Sequence, residues 1–290
     1  MVGVVFAALS GALFGALAVA VMSALRRGAD PYIGAAVVPA VGAAVAVVLS
    51  IPSLAGDAVH PGDLWPFAVA GALVPGVSQI LFIISVRDAG PSRAAILIGT
   101  APLMSVAIAL ALLGEPFRPL LAAGTALVVA GGVAIGRERA RPETFRLLGA
   151  VLALVCAAIF AGRDNLVRWA ARDAHPPALI ASDVSLLTAA IVTLAFAVVV
   201  RRDRLRSDLR AALGAFAPAG VMLAFAYACL FAAFDRTRVS IVAPLNATQS
   251  LWAVCLSVLL YGRHAELIGR RLTVAGALIV AGAAVIGAAR

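Results

Sequence analysis

Residues 126–131 read Ala126-Leu127-Val128-Val129-Ala130-Gly131, and residues 277–282 read Ala277-Leu278-Ile279-Val280-Ala281-Gly282. The two stretches differ only by Val128 against Ile279, at an offset of 151 residues. Traced towards the amino terminus, the register drifts to 148, and Ser92–Gly136 lies over Ser240–Gly287. In it Leu103 meets Leu251, Gly114 meets Gly262, and Arg87-Asp88 falls opposite Asp235-Arg236. Further upstream Gly3 meets Gly149 and Phe14 meets Phe160. Any two apolar runs rich in Ala, Val and Gly look alike, but accidental likeness would not keep one register through the glycine landmarks. The chain is therefore read as one module used twice.

The medium in which that module folds follows from composition. Of 290 residues, 63% are hydrophobic and only 13% charged, about half of the ~25% charged residues usual in soluble domains. With mean hydropathy at +1.06, too little polar surface exists to wrap a water-soluble core. A soluble enzyme, a nucleic-acid binder and a disordered chain are disfavoured together. An integral membrane protein remains. Crossing a hydrocarbon core of ~30 Å takes about 20 apolar residues of helix at 1.5 Å each. Uncharged runs of that kind cover Met1–Leu25, Pro31–Gly56, Leu64–Val86, Ala94–Gly114 and Pro119–Gly136. They resume at Leu147–Gly162 (continuing through Arg163 to about Trp169), Ala174–Val200 (interrupted by Asp183), Ala211–Phe234, Val239–Gly262 and Leu272–Ala289. A lone segment in lipid must satisfy its own backbone, so each is a helix, and the runs are too long and non-alternating for porin strands.

The expected fold is thus all-α and integral to the membrane, with ten transmembrane helices in two inverted five-helix repeats. Residues 1–136 form the first, 137–146 a basic linker, and 147–290 the second. Inversion follows from the odd count: a five-span unit ends on the opposite side from its start, so its second copy enters upside down. Such repeats are a recurring plan of secondary transporters. The first span is a retained helix rather than a signal peptide, since it lacks a basic leader and exceeds the ~7–15 residue apolar run of such signals.

All 23 basic residues are Arg, against 14 acidic residues, giving +9. Sixteen of them fall in the connections after spans one, three, five, seven and nine, and seven elsewhere. The positive-inside rule then places that face in the cytoplasm and both termini outside. Cys156, Cys229 and Cys255 all lie in apolar runs and are expected to be buried small hydrophobes rather than a disulfide framework.

In the first copy a further pattern reads Pro91-Ser92-Arg93-Ala94-Ala95, Pro102, Leu113-Gly114-Glu115 and then Gly124 and Ala130-Gly131. The second copy departs from it, with Ser250 at the Pro position and Tyr261-Gly262-Arg263 in place of Leu-Gly-Glu, so Glu115 and Arg263 are not expected to share a role. This pattern resembles the EamA-like, ten-helix branch of the drug/metabolite transporter (DMT) superfamily over nearly the whole chain. The resemblance implies two EamA-like repeats, a small-molecule substrate and export as the direction of transport. It also implies cytoplasmic termini, the opposite of the charge count.

Polar residues inside spans usually face a bundle interior or a cavity. Candidates for substrate binding are Asn246, Gln249, Ser250 and Trp252 in the ninth span, the first three at i, i+3, i+4 on one helical face. Interhelical hydrogen bonding is the competing role for them. Gln79 and Tyr227, equivalent at an offset of 148, are substrate-binding candidates at midplane, with a satisfied structural amide and phenol as the competing role. Arg163 and Asp183 are expected to sit at similar depth and form an interhelical pair that couples protons, with Asp164 and Arg168 paired at i, i+4; the competing reading has Arg163 snorkelling to the interface and Asp183 accepting only local hydrogen bonds. Gly11 with Gly15, and Gly132 with Gly136, are read as tight intramolecular packing sites. Pro75 and Pro244 are read as kinks in spans three and nine.

No catalytic set, metal site or cofactor is expected: His60, His175 and His264 fall in connections, and no HExxH, GxSxG or phosphate-loop motif is present. The reading is a secondary transporter of small organic metabolites or drug-like solutes in the cell membrane, multi-pass, with the bacterial inner membrane as its setting. Its expected partners are a small-molecule substrate and membrane lipid, not nucleic acid, as a monomer or homodimer. The alternative is a membrane-embedded lipid-modifying enzyme or a lipid flippase.

Overall fold

The computed structural model describes residues 1–56, 60–89, 97–136, 147–173, 176–261 and 270–288, and every regular element among them is helical. The Pro91–Ala95 motif, the 137–146 linker, Gly262, Arg263, His175 and His264 lie outside the described residues. The spans of the first copy are Val2–Arg26, Pro31–Gly56, residues 65–89, Ala101–Leu112 and Pro119–Gly136. Those of the second are Leu147–Asp173, Ala178–Asp203, Ser207–Arg236, Val239–Leu260 and Arg270–Ala288. Seven of these helices are long and apolar enough to cross a membrane, and the fourth, fifth and tenth contribute shorter apolar helices. The sixth span runs well past Arg163, as the sequence led one to expect. Spans seven and eight follow one another with a break at Arg201, whose backbone leaves the helical region (φ −129, ψ 27).

The two copies interlock instead of standing side by side. Span one packs on spans eight and nine of the other copy, and span six packs on spans three and four of the first. Ser10 Oγ donates to the Ala226 carbonyl at 2.9 Å, and Cys156 Sγ approaches the Ser78 carbonyl at 3.6 Å. Those two contacts are each other's image, because residue 156 is the repeat equivalent of 10 and residue 226 that of 78. Spans five and ten meet antiparallel with the same exchange. A Cβ on Gly131 would lie 2.6 Å from Ile279 Cγ1 and 2.7 Å from the Ala275 carbonyl. One on Gly282 would lie 2.8 Å from Val128 Cγ2 and 2.6 Å from the Gly124 carbonyl. Swapping each residue for its repeat equivalent turns one list into the other, so the copies are related by an antiparallel pseudo-twofold.

Small residues sit where these helices touch most closely, because in lipid van der Waals packing drives helix association. Gly11 and Gly15 lie against Thr248 and Trp252 of span nine, a contact within the chain. The second expected motif is corrected: nothing lies within 4 Å of a Cβ on Gly132, and Gly124, Gly131 and Gly282 make the close approach. The cysteine expectation also needs amending, since Cys156 is buried but Cys229 is half-buried and Cys255 exposed.

Candidate functional site

Spans four and nine are broken at equivalent points. Span nine consists of Val239–Asn246 and Gln249–Tyr261, separated by a turn at Ala247–Thr248. Span four has its turn at Gly99–Thr100, immediately before Ala101–Leu112. Thr248 Oγ1 donates to the Leu245 carbonyl at 2.7 Å, and Thr100 Oγ1 donates to the Leu97 carbonyl at 2.6 Å. The backbone repeats the match: Leu251 N–H donates to the Thr248 carbonyl at 2.9 Å and Leu103 N–H to the Thr100 carbonyl at 3.0 Å. Each hydroxyl joins its own residue's N–H on that carbonyl, Thr248 N–H at 3.1 Å and Thr100 N–H at 3.2 Å, closing a tight turn where the regular ladder stops. The first half of span nine packs directly on span four. Discontinuous helices from opposite repeats, meeting in the bundle interior, are the setting in which secondary transporters hold substrate.

A third break lies in span three. Pro75 lacks the N–H that a continuous helix needs; a π-helical turn spans Ala72–Val77, and Val74 is extended (φ −138, ψ 119). The Val74 carbonyl so released accepts from Tyr227 Oη at 2.8 Å. Pro244 acts differently: its half-helix continues to Asn246, and the interruption comes at Thr248.

Tyr227 is fully buried and central to an aromatic group. Its ring meets Phe14 at 5.9 Å and Phe231 at 5.5 Å between centroids. The Arg163 guanidinium carbon lies 5.6 Å from the Tyr227 ring and 6.0 Å from the Phe160 ring. Arg163 lies ten residues before the end of its helix at Asp173, about 15 Å of helix rise, so the cluster is near the middle of the bilayer. Next to it, Asp164 Oδ2 accepts from Ser105 Oγ at 3.2 Å. Asn165 Nδ2 donates to the Ser105 carbonyl at 3.0 Å. Span six thus grips span four at one serine, a turn beyond the Thr100 break.

The expected ion pairs are not those formed. Arg163 pairs with its neighbour Asp164, Nε to Oδ1 at 3.0 Å, and Asp183 Oδ2 instead accepts from Ser50 Oγ at 3.4 Å. The reason is depth. The seventh span starts after Pro177, leaving Asp183 five residues in, about 8 Å of rise against Arg163's 15 Å. Arg168 does not pair with Asp164; its Nη1 donates to the Phe234 and Asp235 carbonyls at 2.6 and 3.0 Å, capping span eight.

In the ninth span the helical face expected from spacing is interrupted by the turn. Asn246 Oδ1 accepts from Ser10 Oγ at 3.1 Å, whereas Gln249 and Trp252 are exposed and Ser250 Oγ donates to the Ala247 carbonyl at 3.3 Å. Gln79 is half-buried on span three. The structure thus brings Arg163, Asp164 and Tyr227 together and leaves Asp183, Gln249 and Trp252 apart from them. Sequence reading missed Ser105, Asn165 and Thr100. The register that paired Leu103 with Leu251 also pairs Thr100 with Thr248, so that signal was present.

A family model described as the EamA-like transporter family matches residues 1–137 and again 147–288. A solved protein crystal structure superposes with a TM-score of 0.78 at 21% identity, over 98% of each chain. At that identity the likeness speaks for the fold alone. No curated protein matches the chain.

Proposed function

The chain belongs to the EamA-like transporter family, a multi-pass membrane family, and on that premise we propose that it moves small organic solutes by alternating access. The paired breaks at Thr100 and Thr248 carry this reading. Two matched hinges, one per inverted copy and packed on each other, let the copies exchange conformations and open the centre to one face and then the other. Export across the cell membrane, in a bacterium the inner one, is the direction proposed. The functional unit is a monomer or homodimer with one five-helix module on either side of residues 137–146.

Proton coupling is assigned to Asp183. It is 9% exposed, and Oδ1 has no hydrogen-bond partner, so gaining or losing a proton changes its link to Ser50 and hence the contact of span seven with span two. The test is reconstitution into vesicles, with solutes chosen by comparing growth of a deletion strain and an overexpressing strain across a metabolite panel. Saturable flux of chemically unchanged solute is expected. Conversion of the solute, or phospholipid flipping without solute flux, overturns the proposal in favour of a lipid-modifying enzyme or flippase. Unchanged dependence on the pH gradient in Asp183→Asn overturns the coupling assignment alone.

A further inference from the structure

Arg163 presents an unmet demand. Its side chain is 3% exposed and Nε lies 3.0 Å from Asp164 Oδ1, but that contact is an ion pair without hydrogen-bond geometry, and Nη1 has no hydrogen-bond partner either. Ser105 holds Asp164 Oδ2, and because adjacent residues on a helix do not face each other, Oδ1 offsets the charge of Arg163 without aligning with its donors. A guanidinium removed from water with open donors is unfavourable unless something completes it. The pseudo-twofold supplies an internal control. Arg163-Asp164-Asn165 overlays Leu17-Ala18-Val19 in the register that pairs Phe14 with Phe160. The fold satisfies the equivalent place with three apolar residues, so architecture does not call for a charge there.

Resting on the transporter reading, we infer that Arg163 receives the carboxylate of an amphipathic organic monoanion whose apolar body packs on Phe14, Phe160 and Tyr227. The planar guanidinium fork matches a carboxylate in two-point fashion. The neighbouring Asp164 opposes a second negative charge, which selects a monoanion over a dianion such as phosphate. A cation at the same place would meet the positive charge of the guanidinium itself.

Calorimetric binding to the purified full-length protein tests this with four probes: phenylacetate, phenylacetamide, phenethylamine and inorganic phosphate. Phenylacetate should bind at least about tenfold more tightly than the amide, the size of a charge-assisted hydrogen bond, and the amine and phosphate more weakly still. Arg163→Gln should abolish the preference for carboxylate over amide, and Arg163→Lys should keep part of it. Because the first comparison uses the unaltered protein, a variant that fails to fold does not decide the matter. Absent binding of phenylacetate, or equal binding of acid and amide, overturns the inference. Vesicle flux of phenylacetamide or phenethylamine without phenylacetate overturns it while leaving the transporter reading intact. Carboxylate-selective binding with no flux of any solute does the reverse.

Discussion

Glu115 shows how much one side chain does at the edge of this bundle. Gly114 adopts φ +61 after the fourth span, the left-handed conformation that glycine supplies at helix ends. The chain reverses there, and Glu115, 8% exposed, accepts from Val239 N–H at 2.8 Å and from Ser240 N–H at 3.1 Å. A buried carboxylate thus caps the ninth span, where both hydrogen bonding and the helix dipole favour negative charge. Glu115→Ala should lower stability by about 1–3 kcal/mol, with Glu115→Gln less affected, read as a fall in thermal unfolding midpoint in detergent. Flux per folded molecule should change little if the residue acts only as a cap. The Leu113-Gly114-Glu115 turn was legible in the sequence; its partner 124 residues away was not, because a turn signature fixes local backbone and says nothing of what docks against it. The same holds for Arg163, whose placement in a span was readable but whose contact with Asp164 instead of Asp183 depended on where Pro177 let the next helix begin.

Between elements, the fifth and tenth spans give a clean comparison of two adjacent glycines. A methyl on Gly131 meets Ile279 and the Ala275 backbone, while one on Gly132 meets nothing within 4 Å. Gly131→Ala should cost about 1–3 kcal/mol through overpacking, and Gly132→Ala should be neutral or slightly stabilising, since alanine is the better helix former. Thermal unfolding of the two variants side by side checks the contrast, and equal effects would argue against this packing. Spacing alone favoured Gly132 with Gly136, since a small-xxx-small pattern marks capacity for close approach but not which face a partner occupies. The ninth span teaches a similar lesson. Asn246, Gln249 and Ser250 form one face only on an unbroken helix, and the turn at Ala247–Thr248 removes that premise.

At the scale of the molecule, the exchanged contacts of Gly131 with Ile279 and of Gly282 with Val128 place two copies of one module in opposite senses through the membrane. From the charges of the connections, the Arg-rich face is expected in the cytoplasm and both termini outside. A carboxy-terminal reporter that works only outside the cytoplasm should be active, and one that works only inside should be silent; the opposite result would reverse the assignment and agree with the family resemblance. The sequence by itself determined the solvent, the number of spans and the twofold repetition, because hydrocarbon thickness and the parity of five act on any chain of this pattern. Only the tertiary structure decided that each copy's first span crosses to the other copy, that Thr100 and Thr248 break their helices together, and which buried polar groups meet. Those depend on which faces of ten similar apolar helices interlock, and lipid, as apolar as their side chains, leaves that choice to close packing and a few hydrogen bonds.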